Sequence, residues 1–210
     1  MIRRTLVHAR SANSLRAAIA LELAGAGFER TVLDLAADDQ RATLLALHPA
    51  GKVPVYIEDS DGERFVLTQS GAIIDHVLRE ARPELFPADR RQRASVHASV
   101  CAAISDVAVQ NALLRYMAFD ARNVGFLRDR LLDALRAALA GLADHPFVCG
   151  DALTVADVAH YPVVHMRRAL LARAGGFGHA LDWADRLRTL EPWSRAIGYS
   201  GLELPAEIAA

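Results

Sequence analysis

The stretch from His48 to Tyr56, HPAGKVPVY, decides how the chain is organised, because within it a helical pattern stops and a strand begins. Pro49 and Gly51 interrupt the helix, and the apolar residues from Val53 onward predict a strand. Pro54 lies just inside that strand, where proline cannot donate to a ladder, and a cis Val53–Pro54 bond is one way to place it there. The N–H and C=O of Val53 would then turn outward, where an extended peptide could pair with them as an added strand. An ordinary turn leading into a strand is the alternative.

Strands and helices alternate on both sides of this stretch. Two strands precede it at residues 5–7 and 31–35, and two helices at residues 15–24 and 42–47. If the two strands are neighbours, the helix between them makes them parallel. After the stretch, the turn residues Asp59–Gly62 predict a hairpin, Phe65–Leu67 return as the antiparallel partner, and a further helix opens at Gln69–Ser70. This order predicts an α/β, thioredoxin-like domain over residues 1–81.

The second half of the chain has a helical pattern and no predicted strand. Residues 82–88 are expected to be a linker, and residues 89–210 an all-α helical bundle. Helical periodicities cover residues 91–117, 124–142 and 181–187, the last ending near Pro192. Thr154 and Asp157 have the spacing of a capping box at the start of another helix.

Composition argues against several kinds of partner. The 24 basic and 25 acidic side chains leave a net charge of −1, so no nucleic-acid surface is expected. No apolar run approaches the roughly 20 residues of a membrane helix, and the first residues do not resemble a secretory segment. Cys101 and Cys149 show neither CxxC nor metal-ligand spacing, so two reduced thiols in a cytoplasmic protein are expected. His160 and His165 do not share a helical face, so no metal site is expected.

The two halves together resemble the cytosolic glutathione transferases, and four motifs that span most of the chain carry the resemblance. They are HPAGKVPV at residues 48–55, QSGAII at 69–74, GDALTVAD at 150–157 and RSANSLR at 10–16. Gln69 takes the place of the acid in the family's acid–serine pair. The resemblance implies the glutathione transferase fold, in which a thioredoxin-like N-terminal domain is followed by an all-helical C-terminal domain.

The resemblance also implies that the first domain binds glutathione as a co-substrate. The Val53 backbone before Pro54 would pair with the central cysteine of glutathione, and Ser70 with the N–H groups of its helix would hold the γ-glutamyl carboxylate. Gln69 could hold the amine or carboxylate of the same group, and Lys52 could offer positive charge to the glycyl carboxylate. From the residues alone, Ser70 could instead be only a helix cap, and Lys52 only a solvated turn lysine.

The expected chemistry depends on ionising the glutathione thiol. A free thiol has a pKa of about 8.5, and lowering that pKa by about 2 units takes roughly 2.7 kcal/mol. A polar donor and the positive end of the first helix could supply this stabilisation. The resemblance to the serine-using classes places the catalytic serine at Ser11, whereas Asn13 stands where those classes carry cysteine and could donate in its own right. Alternatively, Ser14 caps the helix, and Ser11 and Asn13 only shape the turn.

The second substrate is expected between the two domains. Residues that could contact it are Arg10, Gln110, Asn111, Leu114, Arg115, Tyr116 and Phe119. At Ser11 and at the pair Gln110–Asn111, the sequence resembles the isomerase-type class of this family, which acts on maleylacetoacetate or maleylpyruvate. Arg10 and Arg16 could bind such a dicarboxylate, although arginines beside a helix start are more often solvated or paired.

The function that the resemblance implies is a glutathione S-transferase. It would activate the glutathione thiol for attack on a small, mostly apolar electrophile. The alternatives are a glutathione-dependent cis–trans isomerase, a peroxide or disulfide reductase, and a non-catalytic glutathione-binding scaffold. The resemblance further implies a cytoplasmic homodimer with a role in detoxification.

Overall fold

The computed structural model describes residues 2–117 and 120–202, which form two compact units. The first unit contains residues 2–83 together with 191–202, and the second contains residues 84–117 and 120–190. The change from one unit to the next after Pro83 falls inside the linker predicted at residues 82–88. The sequence predicts that everything from residue 89 belongs to the helical domain, whereas residues 191–202 pack within the first unit.

The first unit is built on a four-stranded mixed sheet with the strand order β2-β1-β3-β4. Its strands are β1 (Arg3–His8), β2 (Glu29–Val32), β3 (Val55–Ser60) and β4 (Glu63–Thr68). Strand β1 runs parallel to β2 and β3 runs antiparallel to β4, as the sequence predicts. Strand β1 also runs antiparallel to β3, a pairing that the sequence did not predict. Strand β2 ends earlier than predicted, because the chain turns inward after Val32 and buries Leu33 in the core.

Three helices complete the predicted thioredoxin-like pattern: α1 (Ala12–Ala24), α2 (Asp38–Leu47) and α3 (Ser70–Ala81). Helix α1 is almost wholly buried and packs against α3, which its many alanines allow because small side chains let helices approach closely. A left-handed Gly25 ends α1, as the glycine there predicts. Leu44 of α2 packs into a core with the sheet residues Val7, Val55 and Ile57.

The second unit is helical in its described part, apart from an isolated bridge between Phe147 and Gly150. Its helices are α4 (Arg90–Cys101), α5 (Ala108–Tyr116), α6 (Ala121–Ala138), α7 (Val155–Met166), α8 (Arg168–Ala174) and α9 (Gly178–Arg188). The single long helix predicted at residues 91–117 contains a π-helical segment at Ala102–Val107 between α4 and α5. The predicted capping box at the start of α7 is confirmed, with Thr154 as N-cap and Asp157 bonded back to it.

The last helix of the chain, α10 (Glu191–Ser200), was not predicted, because Pro192 was interpreted as a stop. Pro192 instead lies in the first turn of α10, where proline is tolerated because that N–H has no intrahelical acceptor. Helix α10 packs against α1, with Trp193 fully buried and Arg195 paired to Glu22 at 2.9 Å. The two chain segments that make up the first unit are therefore in contact through α1 and α10.

Cys101 and Cys149 are both free, exposed thiols. No helix within residues 2–117 and 120–202 combines the length and the apolar character needed to cross a membrane.

Candidate active site

Three of the predicted glutathione-binding stretches meet at one edge of the sheet. Val55 at the start of β3 is paired with Val7 near the end of β1 and with Thr68 at the end of β4. The residues that follow β1, precede β3 and follow β4 therefore lie side by side. These are the loop that contains Ser11, the pair Val53–Pro54, and the pair Gln69–Ser70.

The Val53–Pro54 peptide bond is cis, which is the first of the two arrangements that the sequence left open. The Val53 side chain packs against the sheet core, while its main chain stays unpaired: neither its N–H nor its C=O has a hydrogen bond to the described residues. Pro54 is buried, and Lys52 immediately before it is exposed. An extended peptide could thus use the Val53 backbone as a pairing edge.

The N-terminus of α3 is left without a side-chain cap. Gln69 occupies the N-cap position with a φ of 72°, a left-handed conformation that is uncommon for a residue other than glycine, and its exposed side chain makes no capping bond. In the described part of the chain, the N–H groups of Ser70, Gly71 and Ala72 have no hydrogen-bond acceptor. Such a helix start is suited to an anion, because its free N–H groups and its dipole both favour negative charge.

The loop between β1 and α1 is held by two serines. Ser11 is the N-cap of α1, and its Oγ accepts from the Ser14 N–H at 3.1 Å, so the cap is Ser11 and not Ser14. The two hydroxyl groups also share a hydrogen bond at 2.9 Å, and Ser14 Oγ accepts from the Ala9 N–H at 3.3 Å. Ser11 is half-buried, whereas Asn13, two residues further along the chain, is exposed.

Arg16 connects this loop to the start of α3, a role that the sequence did not suggest. Its Nη1 donates to Asn13 Oδ1 at 2.7 Å and to Ser70 Oγ at 3.0 Å. The side chain is fully buried, and burial lowers the pKa of Arg16 to about 10, so it remains a cation at neutral pH. The interpretation of Arg16 as a ligand for a soluble dicarboxylate is therefore wrong, because its guanidinium does not reach solvent. The sequence feature that could have indicated a buried arginine is a single charge within an otherwise apolar stretch of α1, at residues 15–21.

His8 and Arg10 have different environments at the end of β1. His8 is 1% exposed, its ring packs edge-on against Tyr199 with 6.0 Å between centroids, and Nε2 has no partner among the described residues. Burial, and then the nearby Arg30, lower the pKa of His8. His8 is therefore a packing residue rather than a base. Arg10 is exposed, and so it is available to a ligand.

The residues predicted to contact the second substrate fall in the helical unit, and one of them is already bonded. Asn111 is 7% exposed, and its Oδ1 accepts from Arg167 Nε at 2.7 Å. Arg167 Nη2 also reaches the Asn111 main-chain oxygen at 3.3 Å. Gln110 and Leu114 are half-buried, and Arg115 and Tyr116 are exposed. Phe119 lies outside the described residues.

Arg167 is the second arginine that sequence reasoning missed. It follows the last residue of α7 and is half-buried, and its pKa is lowered by burial and by the neighbouring Arg115. Arg115 and Arg167 together form a local excess of positive charge. No spacing could have revealed the contact with Asn111, because the two residues are 56 positions apart.

Comparison with known proteins identifies the family. The family model described as "Glutathione S-transferase, N-terminal domain" matches residues 3–79, and that described as "Glutathione S-transferase, C-terminal domain" matches residues 104–191. Together they cover more than half of the chain. The chain therefore belongs to the glutathione S-transferase family, and glutathione is its co-substrate.

Individual relatives carry two kinds of name. A maleylacetoacetate isomerase of Rhizobium meliloti is 35% identical over 172 residues, which cover 76% of this chain and 78% of the relative. Glutathione S-transferase 4 of Zea mays is 31% identical over 183 residues, which cover 80% of this chain and 79% of the relative. Among solved structures, the theta class glutathione S-transferase of Xanthomonas axonopodis pv. citri, with glutathione bound, has a TM-score of 0.78. It is 22% identical, the match covers 94% of this chain and 98% of that one, and at this identity the likeness bears on the fold alone.

Proposed function

We propose that this chain ionises the thiol of glutathione for attack on a small electrophile, with glutathione lying along the Val53 backbone. The γ-glutamyl carboxylate would lie at Ser70 and the open start of α3, with Gln69 beside it and Lys52 near the glycyl carboxylate. The observation that carries the proposal is the meeting, at one sheet edge, of an unpaired backbone, an uncapped helix and a loop of polar donors.

Asn13 is the principal thiolate donor in this proposal. Its side chain is exposed, and its oxygen is held by Arg16, so its amide N–H groups are free to donate outward. A hydrogen bond to a charged group contributes about 1.5–3 kcal/mol, and the N-terminus of α1 adds about 0.3–1 kcal/mol. These contributions match the roughly 2.7 kcal/mol needed to lower a thiol pKa by about 2 units. Ser11, the donor that the family resemblance implies, is engaged in capping α1 and in the hydrogen bond with Ser14.

A second candidate function is glutathione-dependent isomerisation of a substrate that carries carboxylates. The excess positive charge at Arg115 and Arg167 favours an anionic second substrate over a wholly apolar one. The relative from Rhizobium meliloti, named maleylacetoacetate isomerase, supports the same choice. Conjugation of an uncharged electrophile, with a role in detoxification, is the first candidate.

The two candidates differ in how they use glutathione, and that difference provides the test. A transferase consumes one glutathione for each product, whereas an isomerase turns over maleylacetone with catalytic amounts of glutathione. A panel of uncharged electrophiles and maleylacetone, assayed with limiting glutathione, separates them. Binding of glutathione with its thiol still protonated at neutral pH, and with no turnover of either substrate class, would contradict both and would indicate a scaffold.

We also propose that the chain works as a homodimer in the cytoplasm. Exposed aromatic side chains in both units support self-association, since Phe65 on β4 is 44% exposed and Phe126 on α6 is 63% exposed. The two free thiols are typical of a reducing compartment. Sedimentation at micromolar concentration tests the assembly, and a monomer would contradict it.

A further inference from the structure

We infer that Arg16 is a positioning residue that couples the thiol half of the glutathione site to its carboxylate half. One nitrogen, Nη1, bonds Asn13 Oδ1 and Ser70 Oγ, the proposed donors to the thiolate and to the γ-glutamyl carboxylate. The inference rests on the proposed function and adds to it the reason why these two side chains point the right way.

Arg16 sets the orientation of the Asn13 amide. A guanidinium only donates hydrogen bonds, so the atom that Asn13 turns toward Arg16 must be its oxygen. The amide nitrogen then lies on the opposite side of the group, and its hydrogens point away from the buried arginine. Without Arg16, the exposed amide could rotate and present its oxygen to the ligand, which would repel a thiolate instead of stabilising it.

Arg16 also directs the hydroxyl hydrogen of Ser70. Ser70 Oγ is 4% exposed and accepts a hydrogen bond from Nη1, so its own hydrogen must point elsewhere. The remaining direction is open to an acceptor, and a carboxylate at the uncapped start of α3 would be one. Hydrogen bonds in such a chain strengthen each other, because a hydroxyl that accepts from a cation becomes a better donor.

The charge of Arg16 acts on both halves of the ligand. The guanidinium is fully buried and remains protonated at neutral pH, so it places a positive charge behind two anionic groups of glutathione. Water screens a buried charge less than an exposed one, and the attraction therefore reaches through Asn13 and Ser70.

A purely structural tie between α1 and α3 is the competing explanation, and the chain contains a matched control for it. Arg82 Nη1 donates to the Leu23 main-chain oxygen at 3.1 Å, so Arg82 also joins α3 to α1, at the opposite ends of the two helices. Arg82 contacts none of the proposed glutathione residues by this bond. Arg82→Met thus removes a comparable tie without touching the site.

The experiment measures each half of the site separately. S-methylglutathione has no ionisable thiol, so its Kd reports the carboxylate half, and the ultraviolet absorbance of bound glutathione against pH reports the thiol half. For Arg16→Met we expect about tenfold weaker binding of S-methylglutathione and a bound-thiol pKa about one unit higher, a rise from about 6.5 to about 7.5 that lowers the thiolate fraction at pH 7 about threefold. Arg16→Lys keeps the charge but on a shorter and more flexible side chain that holds the two oxygens less firmly, and it should give intermediate changes in both readouts. Arg82→Met should leave both within twofold of wild type.

The decisive arm is a double-mutant cycle. If Arg16 acts through Asn13, then Asn13→Ala raises the bound-thiol pKa in the wild-type background, raises it less when Arg16 is Lys, and adds nothing further when Arg16 is Met. Full additivity, or wild-type values for both readouts in Arg16→Lys and Arg16→Met, would overturn the inference. If Arg16→Met does not fold, Arg16→Lys decides on the same criteria. A wild-type protein whose bound thiol titrates like free glutathione would instead contradict the proposed function itself, and so the two failures are distinguishable.

Discussion

The two units contain the same contact with opposite exposures. In the first unit Arg16 is fully buried, and Asn13, whose Oδ1 it holds at 2.7 Å, is exposed. In the second unit Asn111 is buried, and Arg167, which bonds its Oδ1 at 2.7 Å, is only half-buried. In each pair, the more buried side chain holds the other one in place, and the more exposed side chain is accessible to a ligand. By this criterion we propose that the asparagine contacts the ligand in the first unit and the arginine in the second.

The largest expected effect tests Arg167 as the group that meets the second substrate. Arg167→Met should lower kcat/KM for maleylacetone about 100-fold, or about 2.7 kcal/mol, because it removes a charge-assisted bond to a carboxylate. Turnover of an uncharged electrophile should stay within twofold. Steady-state kinetics with both substrates measure the difference. Arg168→Met is the control, since Arg168 pairs with Asp185. An equal loss of kcat/KM with both substrates would contradict this role of Arg167.

A somewhat smaller effect is expected at the carboxylate half of the glutathione site. Ser70→Ala should weaken glutathione binding about tenfold, because a buried hydroxyl bonded to Arg16 no longer reaches the γ-glutamyl carboxylate. Isothermal titration calorimetry gives the Kd directly. Ser194→Ala removes an exposed hydroxyl on α10 and should change nothing. Unchanged affinity in Ser70→Ala would refute this carboxylate site.

The comparison also predicts different costs for removing the two asparagines. Asn111→Ala should lower the free energy of unfolding by about 1–2 kcal/mol, because a buried hydrogen bond to Arg167 is lost. Asn13→Ala should change it by less than about 0.5 kcal/mol, because Asn13 is exposed. Urea unfolding of both variants measures these values. Equal costs would mean that exposure does not separate support from function in these pairs.

The smallest expected effect is a loss of stability in acid. It matters because the titration of the bound thiol must be carried out on folded protein. The folded protein holds the pKa of His8 below its usual 6.5, so the unfolded chain binds more protons as the pH falls below that value. The free energy of unfolding should therefore decrease below about pH 6.5, by at most about 1.4 kcal/mol per pH unit from this group. His8→Phe keeps an aromatic ring against Tyr199 and should reduce the slope. Urea unfolding at pH 7.5 and 5.5 tests this, and an unchanged slope would assign the acid sensitivity to other groups.

Sequence predicted the first unit better than the second for a physical reason. The order of strands and helices along the chain, the cis bond before β3 and the opening of α3 depend on short motifs whose residues are neighbours in the chain. The bond from Arg16 to Asn13 is also local, three residues apart, and could have been inferred from a lone charge in an apolar helix. The contact between Arg16 and Ser70 spans 54 positions and could not.

In the helical unit the useful contacts are all distant in sequence. Gln110–Asn111 was correctly located on α5 by its motif, but nothing in its spacing indicated that Arg167 would bond Asn111. The error at Pro192 has a different origin. Proline breaks a helix interior yet fits a first turn, and the periodicity before it gave no sign that a new helix was starting.

The most direct measurement of the central claim is the ultraviolet titration of glutathione bound to wild type and to Asn13→Ala. An exposed asparagine amide held outward by Arg16 should bring the wild-type bound-thiol pKa about 2 units below the 8.5 of a free thiol, and Asn13→Ala should recover about one of those units. Ser11→Ala, measured alongside, should shift the curve less. A wild-type curve that superimposes on free glutathione, or an Asn13→Ala curve that superimposes on wild type while Ser11→Ala moves, would contradict the account.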